Sequence, residues 1–131
     1  MLSSIYFNIP FKWHGKSFDG ADCIGIVLLF YKHELNIELP HPVYSEDRDD
    51  PIDYFDAYYK ELGFYQVDAP QYGDVISFRT GRYAPRHAAV VLSETQALHS
   101  DKDVGSGVIN YSTDPKWVRR TVACYRYRKP E

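Results

Sequence analysis

The chain has 131 residues, of which 44% are hydrophobic and 25% charged, and its formal net charge at pH 7 is -3. This length suits one domain with a sizeable core, so residues 1–131 are expected to form a single unit. The acidic balance argues against a nucleic-acid-binding protein, which is normally basic. No apolar run is long enough to enter a membrane as a span.

The first predicted helix begins near Cys23 and ends at about Leu35. An aromatic lead-in interrupted by proline and glycine precedes it, and Asp19 or Asp22 is available as its N-cap. The apolar residues form an unusually wide face, which predicts a central helix. Those at helical spacing are Ile24, Val27, Leu28, Tyr31 and Leu35.

The second predicted helix lies in the segment DDPIDYFDAYYKELG. Asp49 or Asp50 is expected to cap it, with Pro51 in its first turn and Gly63 just beyond its end. Its apolar face is predicted to contain Ile52, Phe55, Tyr59 and Leu62.

Beyond residue 73 the hydrophobic period changes from helical to two. The strand-like segments are residues 74–80, 87–93, 96–100, 107–112 and 121–128. Closely spaced consecutive strands favour an antiparallel sheet, here of about five strands. The predicted fold class is therefore α+β, with the helices packed on one side of the sheet.

Cys23 stands at the predicted start of the first helix and is open to two interpretations. Buried free cysteines usually act as small, inert hydrophobes. Alternatively, the positive end of a helix stabilises a thiolate, which is the nucleophilic form. Asp22 opposes that effect unless its carboxylate is engaged as the cap, and Gly25 would let another segment approach the helix start closely.

His87 and His99 stand at the two ends of a predicted hairpin, HAAVVLSETQALH. If the turn contains three residues, 93–95, His99 lies opposite Ala89, on the same face as His87. A two-residue turn would put the histidines on opposite faces. In the first case His87 is a candidate base for Cys23 and His99 a candidate orienting group; in the second they have no joint role.

Two further interpretations are less favoured, namely Cys124 as a second nucleophile and a metal site at Cys23. Cys124 lies in an alternating segment and is expected to be a core residue, with both cysteines reduced instead of joined in one long-range disulfide. A zinc site made of Cys23, His87 and His99 matches no zinc-binding spacing.

The roles of two charged clusters remain open. The acidic one lacks the glycine and terminal glutamate of a calcium loop, which favours a solvated helix start; it contains Glu46, Asp47, Asp49, Asp50, Asp53 and Asp56. The basic one, interleaved with aromatic residues, is compatible with outward strand positions, a nucleic-acid surface or a docking surface. It contains Arg119, Arg120, Arg126, Arg128 and Lys129.

Five segments, in order, resemble the NlpC/p60 cysteine peptidases. FKWHGKSFDGADCIGIV is similar to the family's Y-x-W-G-G and D-C-S-G patterns, YGDVISF to its P-G-D strand, RHAAVVL to H-V-G-I-Y and ALHS to I-H-A. WVRRTVACYRYR resembles the closing segment of the phage tail-assembly subgroup. The resemblance extends from about Phe11 to Arg128.

This resemblance implies a papain-like fold whose N-terminal helix carries the nucleophile Cys23, with His87 as general base and His99 orienting it. Trp13, Asp22 and Arg86, within the matched segments, are the implied substrate-binding residues. The implied reaction is hydrolysis of a peptidoglycan stem peptide, commonly between D-glutamate and a diamino acid, without metal or cofactor.

The chain departs from the family pattern at three positions. Ile24 replaces the common serine, His14 replaces a glycine of W-G-G, and Phe11 replaces a tyrosine whose hydroxyl is expected near the cysteine. Tyr6 or Tyr44 is a candidate to supply the missing hydroxyl.

The N-terminal residues have no export-signal pattern. We therefore expect a virion, as a phage or prophage tail-tip component, or the host cytoplasm before assembly, with peptidoglycan and tail or hub proteins as partners. The alternatives are a catalytically silent hub or plug of a tail tip, and a thiol acyltransferase or amidase acting on another substrate. A loop spanning 36–72 is expected to border the substrate groove.

Overall fold

A computed structural model of the protein describes residues 2–42, 44, 51–80 and 84–129. The helices are α1 (Cys23–Glu34), α2 (Tyr54–Glu61) and α3 (Pro115–Arg120), and a 3-10 turn covers Ser4–Tyr6. The strands are β1 (Lys16–Ser17), β2 (Gly20–Ala21), β3 (Tyr65–Gln66), β4 (Val75–Phe78), β5 (His87–Val91), β6 (Ala97–Asp101), β7 (Gly105–Ile109) and β8 (Thr121–Arg126).

Six strands form one antiparallel sheet in the order β3-β8-β4-β5-β6-β7, and β1 and β2 form a separate hairpin. The predicted α+β class is confirmed. The sheet has one strand more than the five expected, because the two-residue β3 pairs with β8 through its backbone while both its side chains are exposed. Such a short, exposed strand has no hydrophobic pattern to predict it.

Helix α1 begins at Cys23, as the sequence predicts, and lies at the centre of the domain. Asp22 is its N-cap: the carboxylate accepts a 2.8 Å hydrogen bond from the Gly25 N–H. Every residue from Cys23 to Tyr31 is buried, and the helix packs against β5 and β6. Burial on all sides explains why its apolar face is so wide.

Helix α2 begins later than predicted. Its N-cap is Asp53, whose carboxylate accepts a 3.0 Å bond from the Asp56 N–H. Pro51 and Ile52 therefore precede the helix, and Ile52 is exposed instead of buried. Several aspartates in this segment are competent caps, and local sequence does not choose between them. The candidates Asp49 and Asp50 lie outside the described residues.

The sheet has an apolar cluster on each face. One cluster packs α1 and α2 against the sheet through Val75, Ala88, Val90, Leu98 and Tyr125. The other contains Ile76, Phe78, Ala89, Val91, Ala97, Ile109, Tyr111, Trp117 and Cys124. Because Trp117 belongs to α3, the helices are not all on one side. The sequence signal for α3 was Asp114 as N-cap followed by Pro115 at the first helical position.

Both cysteines are free and buried. Cys124 packs in the cluster of the second sheet face, which confirms the expected core position. Within residues 2–42, 44, 51–80 and 84–129, no helix has the length and apolar character needed to cross a membrane.

Candidate active site

The thiol of Cys23 lies against the start of β5. Its Sγ is 3.7 Å from the carbonyl oxygen of Arg86, and the residue is 6% exposed. The backbone N–H groups of Ala88, Ile24 and Cys23 interact with the sulfur and favour its thiolate form. The residues on either side of His87 therefore both contact the thiol through their backbone.

The start of α1 is held by an unusually close contact with the β1–β2 hairpin. A Cβ added to Gly25 would lie 1.8 Å from the carbonyl oxygen of Gly15 and 3.2 Å from the Cα of Lys16. The Asp22 N–H donates to the same Gly15 oxygen at 3.3 Å. Only a glycine fits at position 25, as the sequence predicts, and the hairpin thereby fixes the first turn that carries Cys23.

The β5–β6 hairpin has the odd-length turn that the histidine hypothesis requires. Leu92 donates to Gln96 at 2.9 Å, which leaves the three residues 93–95 in the turn. Val90 pairs with Leu98, so Ala89 lies opposite His99. Of the two registers that the sequence left open, the structure has the one that the histidine hypothesis requires.

His87 and His99 meet as diagonal neighbours on one face of the sheet. The Nε2 of His87 is 2.8 Å from the Nδ1 of His99, and both residues are buried. Trp117 covers the pair: its ring is stacked on His87 with centroids 5.4 Å apart and meets His99 edge-on, also at 5.4 Å. Excluding water from this hydrogen bond strengthens it. The sequence pattern does not predict that Trp117 covers the histidines, although Trp117 begins the closing segment WVRRTVACYRYR.

Burial favours the uncharged forms of both reacting groups. It raises the pKa of the Cys23 thiol to about 12, with the neighbouring Asp22 charge acting in the same direction. Burial, then His99, lowers the pKa of His87 to about 3, and Arg120 and Lys116 act in the same direction. Burial also lowers the pKa of His99 to about 4. Both shifts favour the neutral thiol and the neutral imidazole at neutral pH.

Asp22 is fully buried, and its carboxylate is engaged by three donors. Besides Gly25, the His14 N–H donates to Oδ2 at 2.8 Å, and the Tyr44 hydroxyl donates to the same oxygen. Asp22 is thus occupied as the cap, and it ties the lead-in to α1. His14 has φ 62°, in the left-handed region that favours glycine, which explains why glycine is common at this place in W-G-G.

Cys23 and His87 line a cavity of about 280 Å³. One wall is aromatic and includes Phe11, Trp13, Tyr44 and Tyr54. Another carries charge and includes Asp101, Lys102, Asp103, Lys116 and Arg120. As expected, the 36–72 region contributes to the border, through Tyr44, Tyr54 and Phe55. Of the two candidate hydroxyls, Tyr44 lies in the cavity, whereas Tyr6 is buried in the core.

The implied substrate-binding residues have different surroundings. Trp13 lines the cavity and contacts the Phe11 ring edge-on, with centroids 5.1 Å apart. Arg86 also lines it, while its Nη1 donates to the carbonyl oxygens of Ile52 and Pro85, each at 2.9 Å. Arg86 thus links the segment before α2 to the segment before β5. Asp22 is behind the thiol and is not among the lining residues.

The described members of the two charged clusters include residues that make structural contacts. Asp53 caps α2 and Asp56 accepts from the Tyr125 hydroxyl at 2.7 Å; the other four acidic residues lie outside the described residues. Arg126 forms an ion pair with buried Asp74 at 2.9 Å. Arg119 and Arg120 lie on α3, so the strand-alternation interpretation does not apply to them. In the part of the chain that the structure describes, no three His, Cys, Asp or Glu side chains are grouped to hold a metal ion.

A helix that starts at a cysteine and packs on an antiparallel sheet bearing a histidine pair defines a papain-like α+β domain. The model of the NlpC/P60 family matches residues 8–126. The chain therefore belongs to the NlpC/P60 family, as its motifs predict.

Relatives and solved structures agree with this assignment. The murein DD-endopeptidase MepS/murein LD-carboxypeptidase of Escherichia coli (strain K12) is 23% identical over 114 residues, 86% of this chain and 53% of that protein. The chain thus spans about half the length of the curated relatives it matches. A Bacillus cereus NlpC/P60 family protein has a TM-score of 0.66 at 24% identity, covering 93% of this chain and 36% of that one. The NlpC/p60 domain of the peptidoglycan hydrolase SagA has a TM-score of 0.60 at 17% identity, covering 93% and 90%. These structures share the fold, which confirms the papain-like expectation.

Proposed function

We propose that the protein is a cysteine peptidase that hydrolyses peptidoglycan stem peptides through Cys23, His87 and His99. The observation that carries the proposal is the 2.8 Å bond that orients His87 through His99, because His87 and Cys23 line the same cavity. The murein endopeptidase and peptidoglycan hydrolase named among its relatives support the substrate class. The bond we propose is the one between D-glutamate and a diamino acid.

The first step is attack of the Cys23 sulfur on the amide carbonyl carbon. The Nε2 of His87 is engaged by His99, so its Nδ1 takes the thiol proton as the carbon–sulfur bond forms. Because both groups are neutral beforehand, proton transfer accompanies the attack instead of preceding it. Backbone N–H groups at the start of α1 stabilise the negative charge that develops on the carbonyl oxygen.

The second half releases both products. Protonated His87 gives its proton to the leaving nitrogen, the carbon–nitrogen bond breaks, and an amine and a thioester result. Water then attacks the thioester while His87 removes one of its protons. That proton returns to the sulfur as the carbon–sulfur bond breaks, which restores the thiol and releases a carboxylic acid that ionises in solvent. His99 keeps the His87 ring oriented throughout.

Digestion of purified sacculi and muropeptides, with products identified by mass, tests the proposal. Wild type should release the new amine and carboxylate termini, and Cys23→Ala should release none. Cys124→Ala is the matched control, because that cysteine is buried away from the cavity and should leave cleavage intact. A folded wild type without activity on any wall peptide contradicts the proposal.

Two observations favour a catalytically silent hub or plug as the second candidate. Cys23 is 6% exposed, and Phe11 lines the cavity where the family often has a tyrosine. A silent site gives no cleavage and no thioester trapped on Cys23. A thioester that is formed but passed to an added amine instead of water would identify an acyltransferase.

We further propose that the protein acts in a phage or prophage tail tip that opens the wall. The support is the resemblance of the closing segment 117–128 to the tail-assembly subgroup. Mass spectrometry of purified virions should then detect the chain at a few copies per particle. Its absence from virions, with activity present in the cell, would favour the cytoplasmic location.

A further inference from the structure

The charged wall of the cavity contains two cations on one short helix. Lys116 and Arg120 are four residues apart on α3 and therefore lie on the same face. The Nζ of Lys116 is 4.9 Å, and the Cζ of Arg120 5.8 Å, from the centre of the Trp117 ring. That ring is the one stacked on His87, so both cations lie beside the proposed base.

Neither cation has a salt bridge within 4.0 Å to a carboxylate in the part of the chain that the structure describes. Among the described residues, the ion pairs within 4.0 Å join Lys32 to Glu38, Lys60 to Asp56 and Arg126 to Asp74. Asp101 and Asp103 line the same cavity, but no salt bridge links them to Lys116 or Arg120. Like charges four residues apart on a helix repel each other. An anion between them would relieve that repulsion.

The chemistry of the reaction indicates where this anion would come from. His87 must protonate the leaving nitrogen, so the residue that contributes the amine has to lie next to His87. It therefore lies next to Trp117 and the two cations. If the amine comes from a diamino acid, the carboxylate of that same residue is within reach of α3.

We propose that Lys116 and Arg120 form a carboxylate-binding subsite for the residue whose amine leaves. This inference rests on the proposed function, and it adds a selectivity: substrates with a free carboxylate on that residue are preferred over those with a carboxamide. The planar guanidinium of Arg120, which is half-buried, supplies paired donors that match a carboxylate. Lys116 is exposed and adds charge with less geometric demand.

Two peptides that differ only in this group provide the test, one with the free acid and one with the carboxamide. Both tryptophans of the chain, Trp13 and Trp117, line the cavity, so intrinsic fluorescence reports binding. Using Cys23→Ala protein, the free acid should bind about tenfold more tightly than the carboxamide at low salt. Added to that background, Arg120→Gln should reduce the preference to less than about twofold, and Lys116→Gln should reduce it partly.

Arg119→Gln is the matched control, because Arg119 is on the same helix but exposed and outside the cavity. It should keep the full preference. Equal binding of the two peptides, absence of binding to either, or an equal loss in the Arg119 variant would overturn the subsite. Cleavage by the Cys23-containing protein is measured separately. Cleavage with no preference for the free acid over the carboxamide refutes the subsite alone. Preferential binding of the free acid with no cleavage of either peptide refutes the peptidase proposal alone.

Discussion

Gly25→Ala tests whether the close approach of the hairpin positions Cys23. Helix propensity alone predicts that alanine stabilises an interior helical position by about 1 kcal/mol relative to glycine. The tertiary contact predicts the opposite, because the new methyl group would lie 1.8 Å from the carbonyl oxygen of Gly15. The two effects differ in sign, so the measurement decides between them.

The structure sets the size of the disturbance. The methyl carbon and the Gly15 oxygen must separate by roughly 1.5 Å to reach ordinary contact. Backbone has to move, because the oxygen is a backbone atom and the methyl carbon is fixed directly to the helix backbone. That shift lengthens the 3.3 Å bond from Asp22 to Gly15 beyond hydrogen-bonding distance. Overpacking of this kind costs about 1–3 kcal/mol, so after the propensity gain we expect a net loss of about 1 kcal/mol. A domain of this size would melt roughly 3–5 °C lower.

Urea unfolding followed by circular dichroism measures the stability, and cleavage of wall peptide measures the site. Gly107→Ala is the control, since a Cβ there meets no atom within 4 Å; its stability should stay within about 0.5 kcal/mol of wild type. The folded Gly25→Ala protein should also lose cleavage, because the first turn of α1 moves. A variant as stable and as active as wild type would refute the argument that this contact fixes the thiol.

Three further predictions follow from the site and the sheet. His99→Ala should lower kcat for peptide cleavage by about 10²–10⁴-fold with little change in KM, and His99→Asn should restore part of it; an unchanged kcat contradicts the orienting role. His87 and His99 have folded pKa values of about 3 and about 4, below the 6.5 of a free histidine, so the unfolded chain binds more protons between these values. The free energy of unfolding should therefore fall as pH decreases from about 6.5 towards 4, and urea midpoints measure this fall. A His87→Gln, His99→Gln double variant should show a smaller fall. An equal fall in that variant would exclude the two histidines as its cause. Arg126→Ala leaves the buried Asp74 carboxylate without its ion-pair partner and should lower the urea midpoint of unfolding. Replacing Asp74 by Asn as well should partly recover the midpoint, and an unchanged midpoint in the single variant would contradict the pairing.

The core of the site was predictable from local rules. The cap at Asp22 and the helix start at Cys23 follow from capping chemistry within a few residues. The meeting of His87 with His99 follows from the period of two in a strand, because an odd-length turn places both on one face. Neither feature depends on how distant parts of the chain pack.

Other features depended on contacts that local rules do not describe. Helix α2 begins at Tyr54 with Asp53 as its N-cap, although earlier aspartates were equally competent caps. Trp117 covers His87, which is thirty positions away in the chain, and His99, which is eighteen positions away, through a sheet order in which β8 lies beside β4. Helix α3 has only six residues, too few for a hydrophobic period to be recognised.

The sequence by itself therefore determined which side chains could react, and the tertiary structure decided their surroundings. The reactive groups are the Cys23 thiol and the two imidazoles. Helix capping places the thiol, and the period of two in a strand places both imidazoles on one face of the sheet. Their pKa values and the cations beside them depend on burial and on side chains brought in by packing. Burial and long-range packing are properties of the whole fold, because each depends on which distant segments exclude water from the same place.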